Sequence, residues 1–451
     1  MAWPKTGVSD AFDMAVLDSS VRRVESKPLD YELYTPPQIA WCSETAQGAV
    51  WRDANQLGKA QPVDAKVLTP RGWRTIGSLR VGDQVVSGDG TATTVVGVYP
   101  QGVRPVVRLT FDDESSTECC DEHLWVCQDG EARFRKASNA KRCGHASPRL
   151  GQWAVRTAGD IRRQWGEHPA PRSRIAIPTV GRGETELRPT ALDPYLMGLL
   201  LGDGGMSMVD GSVSFTTADD ELIEAVRAVL PAGVRAASYG SPYGWSLVGS
   251  HGRRNTLRTA LRAYGLMGKR SEHKHIPLEY VHNAPSVRLA VLQGLMDTDG
   301  EIGLPHGCPT FGSTSRALAE GVRDLVRSLG GKASIADRQT RYTDKHGAKV
   351  DGLPSFRVRI RLPGVDVFRL ERKRCRRKDP VSRRGDRVLH SIVPSRTAEC
   401  VCIAVDHPSH TYVTDDYIVT HNSRGLIQEL IHRCRGSNPW VQQRPPPIRA
   451  I

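Results

Sequence analysis

The sequence predicts a multi-domain chain, in which an all-β domain is split by an inserted, duplicated α+β domain and an α/β fragment stands at each end. Three observations predict this. A self-comparison at an offset of 96 residues keeps one register for more than 30 positions. Short strand-like runs punctuated by turn residues lie on both sides of that repeat. A length of 451 residues, at about 100–200 per domain, points to about three domains.

Composition narrows the class. The chain carries 62 Lys and Arg against 49 Asp and Glu, a net charge of +13. Residues 60–422 hold +11 of that excess and the two flanks only +2. A polyanionic partner for the middle of the chain is therefore expected. A 39% hydrophobic content supports packed cores. No apolar run approaches the ~20 residues that span a bilayer, so no membrane partner is expected. Met1 to Asp10 lacks a basic region followed by an apolar one, and no signal peptide is expected. Ten cysteines in this length are too sparse for a disulfide framework, which suggests a reducing cytoplasm. The densest basic run, Arg369 to Arg387, reads either as a solvated linker or as a phosphate-contacting segment.

Each repeat opens with an apolar helix ending in Asp-Gly, YLMGLLLGDG (195–204) and VLQGLMDTDG (291–300). Gly198 and Gly294 fall mid-helix, where each costs ~1 kcal/mol against Ala. Close approach of the two backbones would compensate. Gly204 and Gly300 suit left-handed C-caps. Asp203 and Asp299 then sit at helix C-termini, where a negative charge is unfavourable. A divalent cation between them would relieve that cost, and two-metal phosphodiester chemistry uses such an arrangement. A strand (212–217 and 308–313) and a second amphipathic helix (219–230 and 315–329) follow in each copy.

These paired helices resemble the two motifs of a single-chain LAGLIDADG homing endonuclease. The resemblance implies pseudo-symmetric halves packed through the helices. It implies a Mg²⁺ site formed by Asp203 and Asp299 that cuts both strands of DNA, with Lys274 of KHIP (274–277) as a catalytic lysine. Asp297 is not assigned as a ligand, because its counterpart is the apolar Leu201. Retention of the fold without cleavage is the alternative.

The segment AKVLTPRGWRTIGSLRVGDQVVSGDG (65–90) and the segment 399–423 read as halves of one β-domain, interrupted at an exposed loop. The second segment ends in His421-Asn422-Ser423. An Asn side-chain nitrogen can attack its own backbone carbonyl and cut the chain. A neighbouring His can assist by proton transfer, and a Ser hydroxyl can accept an acyl group.

In this context the tripeptide resembles the C-terminal junction of an intein. VDAKVLTPRGWRTIGSLRVGD resembles the N-terminal block of inteins and related autoprocessing domains. His123 in CDEHLW and His410-Thr-Tyr-Val match two further blocks, with Cys120 at a usual threonine position. The aligned first residue is Ala60, which has no nucleophile. Class 3 inteins replace that nucleophile by an internal cysteine, with a Trp and a Thr at set positions. Those positions here hold Trp125, Cys402 and Thr420.

The resemblance implies that Cys402 attacks the Lys59 carbonyl while His123 protonates the leaving nitrogen. Ser423 then takes the acyl group, and Asn422 cyclises with help from His421. No cofactor is implied for splicing. Cys400 is the bland neighbour on the same strand face. Cys119, Cys120, Cys127 and Cys143 lack the paired spacing of a zinc site.

The boundaries read as 1–59 for the first flank, 60–185 and 386–422 for the two parts of the Hint (splicing) fold, 186–385 for the LAGLIDADG domain, and 423–451 for the second flank. Joining the flanks would place Gly58 and Lys59 before Ser423 and the run LIQELIHRC, which looks like a Walker A phosphate-binding loop. Asp53 stands at the first Gly position of that pattern. With YTPPQ (34–38), the flanks resemble an α/β P-loop fragment of a phage terminase large subunit. ATP with Mg²⁺ is implied for the spliced host alone. The sequence ends before any Walker B carboxylate. The expected partners are double-stranded DNA, the chain itself and other terminase components, in the cytoplasm of a bacterial or phage-infected cell. A non-splicing DNA-binding protein with a Hint-like domain is the different-class alternative.

Overall fold

The computed structural model describes residues 59–130, 152–167, 175–183, 185–207, 212–250, 255–303, 307–343, 347–376 and 385–422. The readings placed on 1–58, on Cys143 and on 423–451, including Gly58 and Ser423 of the Walker A pattern, lie outside these residues.

Two six-stranded sheets make up the all-β part. The first runs through β1 (Gln61–Pro62), β18 (Arg387–Val405), β5 (Ala92–Phe111) and β4 (Gln84–Val86), with β6 (Ser116–Cys119) on β5 and β9 (Ala176–Ile177) on β18. The second runs β3 (Gly72–Thr75), β2 (Lys66–Thr69), β19 (Thr411–Thr414), β20 (Ile418–His421), β7 (Leu124–Cys127) and β8 (Ala154–Thr157). A helix, α1 (Ala158–Glu167), follows β8. Each sheet therefore mixes strands from both sides of the insertion, as a split domain requires. Alternation drives the pairing. Val107, Leu109 and Phe111 of β5 are buried while Arg108 between them is exposed. Four register shifts along the β5–β18 ladder let this long ribbon bend.

The inserted part repeats one unit twice. The first copy comprises α2 (Pro194–Asp203), β10 (Gly204–Gly205), β11 (Ser214–Thr216), α3 (Asp220–Val229), β12 (Val234–Tyr239) and β13 (Ser241–Gly249). Helices α4 (Thr256–Ala263) and α5 (Leu278–Val281) lead to the second copy. That copy holds α6 (Pro285–Asp299), β14 (Gly300–Gly303), β15 (Cys308–Ser313), α7 (Arg316–Ser328), β16 (Lys332–Thr343) and β17 (Lys349–Arg361). The sheet orders β10-β11-β13-β12 and β14-β15-β17-β16 are the same. The repeat extends to single pairs, with Gly204 opposite Phe215 and Gly300 opposite Phe311. The caps repeat too. Asp219 caps α3 and Ser315 caps α7, each accepting from a backbone N–H of the first turn.

The mid-helix glycines are explained by packing. A Cβ on Gly198 would lie 2.3 Å from the Val291 carbonyl oxygen, and one on Gly294 would lie 2.4 Å from the Tyr195 carbonyl oxygen. The backbones of α2 and α6 meet at these residues, and one apolar core joins the two copies around them. The expected left-handed C-caps are corrected. Gly204 has φ −77° and Gly300 φ −81°, both extended. Each helix passes straight into a strand at its glycine. A side chain there would strike the helix's last turn, since a Cβ on Gly204 would lie 2.4 Å from the Leu200 carbonyl oxygen.

The two parts are joined by buried charge. Arg327 of α7 and Arg387 of β18 both reach Asp113, in the turn between β5 and β6. Asp416 and Tyr417, just before β20, adopt φ 55° and 58°. A non-glycine residue held in this region costs about 1–3 kcal/mol and needs surrounding contacts to persist.

Two candidate active centres

The first centre surrounds the Lys59–Ala60 bond. In the antiparallel pairing of β1 and β18, Gln61 faces Val401 and Pro62 faces Cys400. Continuing that register by one residue sets Ala60 opposite Cys402. Ala60 is fully buried; its N–H donates to Cys120 Sγ at 3.0 Å, and its carbonyl accepts from the Cys120 N–H at 3.0 Å. Cys120 thus touches both the nitrogen and the carbonyl of Ala60. The buried Gln61 side chain anchors β1, donating to Thr117 and Thr414 Oγ1 and accepting from the Tyr412 hydroxyl.

The expected residues converge here. Cys402 is buried, and burial pushes its thiol up to about 12, with the Lys59 ammonium pulling it down and Cys120 adding to the rise. His123 Nε2 lies 2.5 Å from Thr420 Oγ1, and the Trp125 ring packs edge-on against the His123 ring at 5.5 Å. His421 pairs with Leu124 and packs against the His410 ring at 6.3 Å. Burial lowers both His123 and His421 to about 3, reinforced by Lys59 for His123 and by His410 and then Lys59 for His421. The Asn422 N–H donates to the His410 carbonyl at 2.7 Å. With its amide oriented to satisfy both ends, the Asn422 side chain donates to the same carbonyl and accepts from the Val405 N–H. Cys400 faces Pro62 and packs with Ala60, Val106 and Cys120. Gln61 and the Cys120 contact were missed by sequence reasoning, since a two-residue strand pairing far along the chain leaves no local pattern.

The second centre lies where α2 and α6 end. Burial raises the Asp203 carboxyl. Burial and the neighbouring Asp203 charge raise Asp299 to about 6. Lys274 Nζ donates to the carbonyls of Leu200, Leu201, Gly202 and Gly204, which close α2. Its ammonium meets the negative end of the helix dipole, and burial lowers it to about 8. Lys373 does the same for α6, donating to Met296, Asp297, Thr298 and Gly300. It lies in α8 (Glu371–Arg374), within the basic run, so Lys373 itself is committed to the helix end, while its neighbours Arg372 and Arg374 are exposed. Asp297 is fully buried and accepts from the Tyr195 hydroxyl and the Arg369 and Leu370 N–H groups, a structural role that places α8. These two carboxyl groups, both raised by burial and Asp299 also by the Asp203 charge, offer only oxygen donors, a set that fits a hard divalent cation.

Residues 286–363 match the family described as LAGLIDADG-like domain. A replicative DNA helicase DnaB of Mycobacterium intracellulare is 28% identical over 386 residues. The match covers 81% of this chain and 59% of the relative. The chain thus spans about three fifths of that relative's length. The terminase reading of the flanks finds no support here, because the matched relative is a helicase. Among solved structures, a gp41-1 intein is 34% identical over 16% of this chain and 55% of its own, with a TM-score of 0.15. I-DmoI in complex with DNA and Mn is 18% identical over 38% of this chain and 90% of its own, with a TM-score of 0.24.

Proposed function

We propose that residues 60–422 excise themselves by class 3 protein splicing, and that the inserted domain is a homing endonuclease cutting double-stranded DNA. The observation that supports the splicing reading is the β1–β18 register, Gln61 opposite Val401 and Pro62 opposite Cys400, whose continuation by one residue would bring Ala60 opposite Cys402. Cys402 Sγ bonds to the Lys59 carbonyl carbon and the Lys59–Ala60 C–N bond breaks. The thiol proton ends on the Ala60 nitrogen, which lies beside Cys120, with His123 as the proton donor to it. Trp125 and Thr420 fix the His123 ring. Ser423 Oγ then takes the acyl group and returns the Cys402 thiol. Asn422 Nδ2 closes on its own carbonyl carbon, next to His421, and breaks the 422–423 bond. An O-to-N shift leaves a Lys59–Ser423 amide.

For the endonuclease, Asp203 and Asp299 would hold a divalent cation, Mg²⁺ by the family resemblance, which supplies water activation and charge neutralisation at the phosphate. Lys274 and Lys373 hold the two helix ends that present these acids. On β17, Phe356, Val358 and Ile360 enter the core while Arg357, Arg359 and Arg361 face outward. That outward row suits contacts to a DNA backbone. Ligation would restore the order Gly58, Lys59, Ser423, which suits phosphate binding. The host is therefore read as a nucleotide-binding protein and not as a terminase.

Mass spectrometry of the expressed chain tests the splicing reading. The expected products are a 363-residue insert and an 88-residue joined host. Persistence of the intact chain alone would overturn it.

A further inference from the structure

We propose that Arg327, a side chain of the endonuclease, is a positioning residue for the second half of splicing, because it holds the turn from which β20 delivers Thr420, His421 and Asn422. This inference rests on the splicing reading above.

Arg327 sits on α7 and is 2% exposed. Its Nη1 donates to Asp416 Oδ1 at 2.8 Å, and its Nη2 donates to the Asp113 carbonyl at 2.7 Å. Asp416 is the first of the two consecutive left-handed residues. Arg387, wholly buried, secures the same turn from its other side, donating to the carbonyls of Asp416 and Tyr417. The turn is thus clamped by one guanidinium from the splicing domain and one from the endonuclease. Only one residue separates Tyr417 from Val419, and Asn422 follows three further on. The Asn422 amide must be held against its own carbonyl, so a small displacement of β20 is costly. Asp416 Oδ2 also accepts from the Ser116 N–H, so the clamp is tied to β6. The nucleophile Cys402 lies on β18, beyond the reach of Arg327's bonds.

The test separates the two chemical steps in the full-length chain. Branched-ester formation and succinimide formation at Asn422 are followed by mass spectrometry, with melting temperature recorded alongside. Arg327→Ala is expected to slow succinimide formation roughly tenfold or more, and to slow ester formation by a clearly smaller factor, through Thr420 and the His123 ring that Thr420 holds. Arg327→Lys should recover part of that loss. Asp416→Asn keeps a residue that tolerates the left-handed backbone, and supplies the same readout should Arg327→Ala fail to fold. It should reproduce the defect, and the double variant should be no slower than the worse single one. Arg316→Ala, on the exposed side of the same helix, should change neither step. Equal slowing of both steps, or no slowing of the second, would overturn the inference. A wild-type chain that never yields the insert would refute the splicing reading instead.

Discussion

The proposed splicing centre and the proposed cleavage centre share one chain, and their electrostatics run in opposite senses. Around Lys59–Ala60, burial keeps His123, His421 and the Cys402 thiol uncharged. At the ends of α2 and α6, two acids and two lysines are crowded together in spite of burial. The substrate accounts for the difference. Splicing acts on the protein's own neutral backbone, which is already inside. Cleavage of DNA must receive a polyanion and a cation, so it needs charge near the surface. The first site excludes solvent and the second tolerates it.

Separate loss is the largest expected effect. Cys402→Ala removes the first atom proposed to bond to the Lys59 carbonyl carbon, so ligated product should vanish from the mass spectrum. Cys400→Ala should leave it in place. Asp299→Asn should cost cleavage of a DNA carrying the uninterrupted site on the order of a hundredfold or more, measured on a gel, and spare ligation. Loss of both activities from either change would break the comparison.

A smaller effect is expected at the shared seam. Gly198→Val would drive methyl groups into the Val291 carbonyl. Overpacking of this kind costs about 1–3 kcal/mol, and calorimetry should show the endonuclease transition falling first.

Next comes Lys373→Met. It strips four carbonyls of their donor while leaving Lys274 on the other helix. Cleavage should fall about tenfold to a hundredfold, with one DNA strand nicked faster than the other.

The smallest effect is a pair of opposed pH trends. His123 and His421 have folded values near 3, below the ordinary 6.5. Their contribution to stability is present above about 6.5 and is lost as pH falls. Asp299 has a folded value near 6, above the ordinary 3.8. Its contribution is present at low pH and is lost as pH rises through 6. Acidification from pH 7 to 5 should therefore lower the melting transition of the splicing domain. The endonuclease should be spared relative to an Asp299→Asn variant, in which this trend disappears. A divalent cation added at pH 7 should stabilise the wild type and not that variant.

Much of the fold was legible because its signals are periodic. Gly198 and Gly294 announced a close helix crossing, since one cost appeared twice at a fixed offset. The predicted second helices, 219–230 and 315–329, fall within a residue or two of α3 and α7. Lys274 was legible through its motif. Lys373 was not, because it sits 99 residues on instead of 96 and inside a run of ordinary surface charges. The convergence of Cys402, His123, Thr420 and Asn422 was legible as a list of types, but not as a geometry. Protonation was out of reach, because burial sets it and a sequence carries no solvent. The Asp113, Arg327, Arg387 and Asp416 cluster joins residues scattered over 300 positions, and no repeat or motif links them.

The two-residue strand β1 has a bearing on timing. It is tied down through Gln61, which bonds to Thr414, 353 residues away along the chain. A ribosome finishes the first partner long before the second exists. Until the late strands arrive, Ala60 has no neighbour on β18 and the thiol has no target. Non-local pairing of this kind is slow to form. On the proposed chemistry the chain would therefore report on its own completion: the bond at Lys59 would stay intact until everything between the two strands had been made and folded.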